Sequence, residues 1–238
     1  MRHTLPALTL AAVALTSAVA VPAEAAARRA PGVKIAPGTV VLQAKSSTWV
    51  TVTVTAPGMG PGSWINFDLR GPKGDWVGDA VIEDPDGDGV FVGRGKFDRS
   101  AEPGGWRAET SVYDTNEGST KPGPSTTFSV KRSTRLSANA GPEPVRKGRT
   151  LTVAGRLTRL DPYGWNGDYV GYGKQRVSVY FRKRGTGRWV YAGAATTASN
   201  GSYKRTFKAK YDGTWRAGYW GSSMFFKSVS GDDYVDVR

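Results

Sequence analysis

The chain has no cysteine, and its one histidine is His3, close to the amino terminus. Disulfides, thiolate nucleophiles, cysteine-ligated zinc and a lipid anchor through cysteine are therefore excluded. Without histidine in the body of the chain, a Ser-His-Asp triad and imidazole acid–base chemistry are excluded as well. Long apolar runs are scarce too. The one of note, Leu5 to Val21, follows the positive start Met1-Arg2-His3 and leads into small residues at Ala18-Val19-Ala20 and Ala23-Glu24-Ala25-Ala26-Ala27. It is short for a ~20-residue membrane span. It reads as a secretory signal over residues 1–27, cleaved between Ala25 and Ala27. The expectation is a secreted, extracellular protein with no transmembrane segment in its mature part and the cell wall as the nearest surface.

A sustained 3.6-residue period is also missing from Pro31 onward. What is present is a series of short alternating runs, such as Thr48-Trp49-Val50-Thr51-Val52-Thr53-Val54-Thr55 and Ser63-Trp64-Ile65-Asn66-Phe67-Asp68-Leu69. These alternate between 31 glycines and 14 prolines, most of which fall between the runs. Period-two runs punctuated in this way predict an all-β chain of antiparallel strands, in sandwiches or barrels. An internal repeat divides it. Gly105-Trp106-Arg107-Ala108 returns as Thr214-Trp215-Arg216-Ala217. Trp64 to Arg70 with Gly74-Asp75-Trp76-Val77 returns as Arg176 to Arg182 with Gly187-Arg188-Trp189-Val190. Two similar units in the same order predict a tandem pair of sandwiches. The expected organisation is a linker over 28–38, a first sandwich over 39–131 and a second over 132–238. The ring of Trp76 and that of Trp189 are each expected to fill an inter-sheet core.

The second half resembles the immunoglobulin-like domain that recurs in secreted actinobacterial proteins. The resemblance is carried by Ser133-Thr134-Arg135-Leu136, Glu143-Pro144-Val145-Arg146-Lys147-Gly148, Leu151-Thr152-Val153-Ala154-Gly155-Arg156-Leu157, Asp212-Gly213-Thr214-Trp215-Arg216 and Asp233-Tyr234-Val235-Asp236-Val237. The first half joins it through the repeat alone. The resemblance implies immunoglobulin-like antiparallel β-sandwiches and export. Some members carry a calcium-binding label, and none supplies a verified active site.

The formal net charge of +13 is unevenly held. Residues 28–131 contain 12 basic and 12 acidic residues, whereas 132–238 contain 20 and 7. The excess clusters at Arg146, Lys147 and Arg149, at Arg182, Lys183 and Arg184, and at Lys204, Arg205, Lys208 and Lys210. Lys204, Lys208 and Lys210 share a strand parity and are expected on one face. Focused positive potential attracts polyanions, so the expected partner is an anionic envelope polymer or an acidic protein. Sequence-specific contact with nucleic acid is not expected, because neither a recognition helix nor a reading ribbon is evident.

Asp84, Asp86, Asp88 and Gly89 reproduce the start of a D-x-D-x-D-G calcium loop, with Asp79 and Glu83 nearby. The twelfth position of an EF-hand counted from Asp84 is Gly95, not a bidentate Glu, so that motif is incomplete. Two readings stand: a hairpin turn using Asp and Gly for geometry, or a weak Ca²⁺ site. No cofactor is required, and Ca²⁺ is the one candidate. A third feature is the loop Tyr163 to Gly173, in which Tyr163, Trp165, Tyr169 and Tyr172 either stack on sugar rings or pack structurally. No G-x-S-x-G, S-x-x-K or phosphate-cradling glycine loop occurs, and the expectation is a non-enzyme.

Overall fold

The computed structural model describes residues 30–238; the expected signal segment, 1–27, lies outside the described residues, as do the side chains of Asp79 and Ala80. The described residues contain no α-helix, only a 3₁₀ turn at Pro72–Gly74. The first strand set is β1 (Gly32–Ala36), β2 (Thr39–Leu42), β3 (Thr48–Thr55), β4 (Trp64–Arg70), β5 (Trp76–Glu83), β6 (Val90–Phe97), β7 (Gly104–Asp114), β8 (Ser119–Pro122) and β9 (Thr126–Arg132). The second is β10 (Thr134–Leu136), β11 (Asn139–Gly141), β12 (Thr150–Leu160), β13 (Tyr169–Gly171), β14 (Arg176–Lys183), β15 (Val190–Thr196), β16 (Ser202–Lys208), β17 (Gly213–Tyr219), β18 (Ser228–Val229) and β19 (Asp233–Val235).

The protein is all-β, as its alternation predicts. In the first set β1-β3-β6 forms one sheet and β2-β9-β7-β4-β5, with β8 on β7, forms the other. Pairing is antiparallel except for β2 on β9, which is parallel. In the second set β10, β11, β13 and β16 all pair with β12, and the facing sheet runs β15-β14-β17-β18 with β19 on β17. Each set thus lays one strand pair (β3–β6, β12–β16) over a sheet built on a central pair (β4–β7, β14–β17), with β5 or β15 at its edge. That is the immunoglobulin-like arrangement of sheets, and the repeated sequence segments occupy matching strands.

Alternation explains the cores. Val50, Val52 and Val54 of β3 and Ile65, Phe67 and Leu69 of β4 point inward and are essentially fully buried, while the intervening residues face out. In the second set Leu151, Val153, Val179 and Trp215 meet in the same way. The tryptophan expectation is corrected for both rings. Trp106 and Trp215 are the buried rings, whereas Trp76 is 47% exposed and Trp189 half-buried. Trp106 fits because its Nε1 donates to the Glu102 carbonyl at 2.9 Å and its ring meets Phe97 edge-on at 4.8 Å. Trp76 begins the edge strand β5 and Trp189 immediately precedes the edge strand β15, where its ring lies under the Arg182 and Arg216 guanidiniums.

The expected linker over 28–38 is also corrected. Gly32–Ala36 is strand β1, paired with β3 along its whole length. Ile35 joins the core and Val33 packs against it, so the alternation extends further towards the amino terminus than the linker reading allowed. At the other boundary only Ser133 separates β9 from β10. Main-chain bonds from Arg132 to the Met224 carbonyl and from Phe226 to the Arg132 carbonyl, each 2.9 Å, bind the two sets together. Leu160 of the second set is wholly buried in the core of the first.

Candidate functional site

Three features of the sequence compete as sites, and the structure separates them. The acidic loop connects β5 to β6. These strands belong to different sheets, so the loop crosses between layers and is not the hairpin expected. Asp84, Asp86 and Asp88 converge, with carboxylate oxygens within 4.8 Å of one another. Asp84 accepts main-chain N–H bonds from Gly87, Asp88 and Gly89 at 2.7–3.3 Å, and Asp88 accepts from Val90 at 2.8 Å. Burial raises the Asp84 carboxyl above its ordinary value; the Gly89 N–H opposes this and neighbouring Asp86 adds to it. The loop and Gly58 to Ser63 line an open groove of about 500 Å³. Glu83 does not join the cluster: it ends β5 opposite Trp64 and is exposed. The side chain of Asp79 lies outside the described residues.

Eight of the ten basic residues divide between two faces. Arg146, Lys147 and Arg149 sit in a turn closed by the Arg149 N–H to the Arg146 carbonyl at 3.0 Å. Arg146 and Arg149 line a groove of about 640 Å³ with Lys208 of β16. Lys204, four residues away on the same face of β16, is exposed. This sheet has a composition that sets it apart: β10, β11, β12, β13 and β16 contain no Asp or Glu at all. Among the described residues Arg146, Lys147, Arg149, Lys204 and Lys208 have no ion-pair partner.

The opposite sheet is different. Arg182 and Arg216 share Asp232, at 3.4 and 2.6 Å, and Arg184 pairs with Asp212 at 3.7 Å. Lys183 stands over the Tyr211 ring at 4.3 Å. Arg182, Lys183 and Arg184 thus stand apart from Lys204 and Lys208, because β14 and β16 belong to facing sheets. Arg205 has the inward parity of Tyr203 and Phe207 and emerges at the β16 edge beside Gly193. Lys210 lies past the end of β16, lining the apolar seam between β15 and β16 with Phe207 and Tyr211.

The aromatic loop also divides. Tyr163 and Trp165 stack on each other at 4.8 Å and are 63% and 82% exposed. Tyr169 and Tyr172 are packed. Tyr169 bonds to Ser133 at 2.9 Å beneath the Arg135 guanidinium, and Tyr172 meets Phe225 at 4.6 Å. The loop's other role is structural. Asp161, which is buried, accepts N–H bonds from Tyr163 and Asn166. Those bonds, led by Tyr163, hold its carboxyl below the usual range, with Arg99 contributing.

A second aromatic group, at Tyr180, Tyr191 and Trp220, was not singled out by sequence reasoning. The signal was available: in β14 the core takes Val177, Val179 and Phe181, which leaves Tyr180 facing out. No helix among the described residues is long and apolar enough to cross a membrane.

No family model matches the chain, and no curated protein matches it. Among solved structures it is similar to alpha-2-macroglobulin of Escherichia coli. The native form gives a TM-score of 0.36 at 11% identity over 86% of this chain, and the trypsin-activated form 0.30 at 10% over 87%. The chain spans 14% and 15% of the length of those proteins. Likeness at that level identifies neither a family nor an activity.

Proposed function

We propose that the chain is a non-catalytic, exported binding protein whose second strand set contacts an anionic polymer. The observation that carries this reading is the carboxylate-free sheet built on β12, with Arg146, Arg149, Lys204 and Lys208 unpaired on or beside it. Where guanidiniums of this unit need neutralising, Asp212 and Asp232 do so on the other sheet. Surface cations that are left without partners keep their full attraction for a polyanion, and each contact releases a counterion. The expected export signal puts an anionic envelope polymer within reach, with an acidic protein surface as the other partner of the same chemistry.

Binding to immobilised polyphosphate, measured over a series of salt concentrations, tests this. The slope of log K against log salt should be steeply negative. It should become shallower by roughly one for each of Arg149, Lys204 and Lys208 replaced by serine. Retention that is insensitive to salt, or a slope unchanged in the triple variant, rejects the proposal.

A second reading is a weak Ca²⁺ site at Asp84, Asp86 and Asp88. It is favoured by the convergence of three carboxylates and by the raised Asp84 carboxyl. Burial is the main cause of that rise, and a divalent cation would relieve the smaller repulsion that Asp86 adds.

A further inference from the structure

The outer face of the β15-β14-β17-β18 sheet carries rings that serve neither the core nor the joint between strand sets. Trp220, immediately after β17, is 60% exposed. Its indole lies close against the sheet at Gly218, where a Cβ would meet the ring at 3.3 Å. The Trp220 Nε1–H donates to the Tyr180 hydroxyl at 3.2 Å, and the two rings stand edge to face at 6.0 Å. Tyr180 in turn meets Tyr191, itself 50% exposed, at 5.8 Å. Tyr191, Tyr180 and Trp220 therefore form a row across three neighbouring strands. Tyr180, Trp220 and Trp189 also wall a shallow depression of about 170 Å³.

The polar groups around this row are already committed. Arg176 donates to the Tyr191 hydroxyl at 3.0 Å. Arg182 and Arg216 hold Asp232, and both guanidiniums lie over the Trp189 ring at 4.6 and 4.3 Å. The two guanidiniums beside the Trp189 ring are already neutralised by Asp232, unlike Lys204 and Lys208 of the β12 sheet, so an anionic ligand is disfavoured here. A wholly apolar ligand would cover the Tyr180 and Tyr191 hydroxyls, which accept bonds from Trp220 and Arg176 but would be left without a partner for their own O–H. The matching chemistry is an uncharged molecule with a flat C–H face and a hydroxyl rim. Pyranose rings have that form, and exposed aromatic rings with polar edges suit them.

We infer that this face binds an uncharged glycan, with sugar rings stacked on Trp220 and Tyr180. The site is separate from the polyanion-binding sheet and from the Tyr163–Trp165 pair. The purified chain would be titrated with cellohexaose, chitohexaose and oligothymidylate, following tryptophan fluorescence and calorimetry at low and high salt. One of the two saccharides is expected to bind with an affinity insensitive to salt. Trp220→Ala should weaken it about tenfold or more, and Trp165→Ala should leave it unchanged. Thermal melts establish that the variants fold, and Trp220→Phe, which keeps a ring, should retain most of the affinity. The inference is overturned if neither saccharide binds, if Trp220→Ala binds as tightly as the parent, or if only oligothymidylate binds through Trp220. None of these outcomes depends on the polyphosphate result.

Discussion

Arg99, in the connection between β6 and β7 of the first strand set, donates through Nη2 to the main-chain carbonyl of Asp161 in the second, at 2.6 Å. Its Nε reaches the same carbonyl at 3.2 Å, and Nη1 pairs with the Asp168 carboxylate at 2.9 Å. One guanidinium fork thus holds the 161–168 loop of one unit against the other, beside the buried Leu160. Arg99 is mostly buried, at 23% side-chain exposure, so its bonds are shielded from water.

Arg99→Ala should therefore cost about 1.5–3 kcal/mol, the scale of hydrogen bonds made by a charged group. In urea the parent is expected to unfold in one transition, and the variant in two separated ones as the units uncouple. Asp168→Asn removes only the partly exposed ion pair and should cost under about 1 kcal/mol. Coincident, unshifted transitions in Arg99→Ala would show that the fork does not couple the units.

Asp161 gives the joint a pH dependence. Its carboxyl is held below the ordinary aspartate value by the N–H groups of Tyr163 and Asn166 and by Arg99. A depressed folded-state value means that the stabilisation is present above the unfolded pKa and is lost as pH falls through the lower folded one. Asp161→Asn should flatten the acid limb of the stability–pH curve and leave its neutral plateau lower. An acid limb identical to that of the parent would contradict the assignment.

The acidic loop makes an opposite prediction for added ions. With Ca²⁺ in roughly hundredfold excess over a Kd of ~10⁻⁴–10⁻³ M, stability should rise by about 2.7 kcal/mol. Asp86→Ala with Asp88→Ala should abolish the rise. Differential scanning calorimetry with and without calcium measures it, and an equal rise with magnesium would point to ionic strength instead.

The parts of the fold legible in the sequence were those written in strict alternation. Val50, Val52 and Val54 could be assigned to the core at sight, because their neighbours, Trp49 and three threonines, alternate onto the other face. The repeat located equivalent strands for the same reason. Side-chain partners were not legible. Arg182 and Lys204 look equivalent as basic residues on strands. Yet Arg182 is neutralised by Asp232, fifty residues away in sequence, while Lys204 has no such neighbour. Tyr163 and Tyr169 likewise belong to one aromatic loop, and only the approach of Ser133 and Arg135 buries the second against the joint. Pairings between distant strands decide such cases, and spacing along the chain does not record them.

The single residue between β9 and β10 has a consequence for avidity. Domains joined by a flexible linker can adjust their spacing to a ligand with two epitopes, at an effective concentration set by linker length. Here Ser133 leaves no slack, and the Arg132–Phe226 and Arg99–Asp161 bonds fix the angle as well. The chain is accordingly a ruler: a polymer that touches both units must present its groups at one distance, and one with any other repeat gains nothing from the second contact.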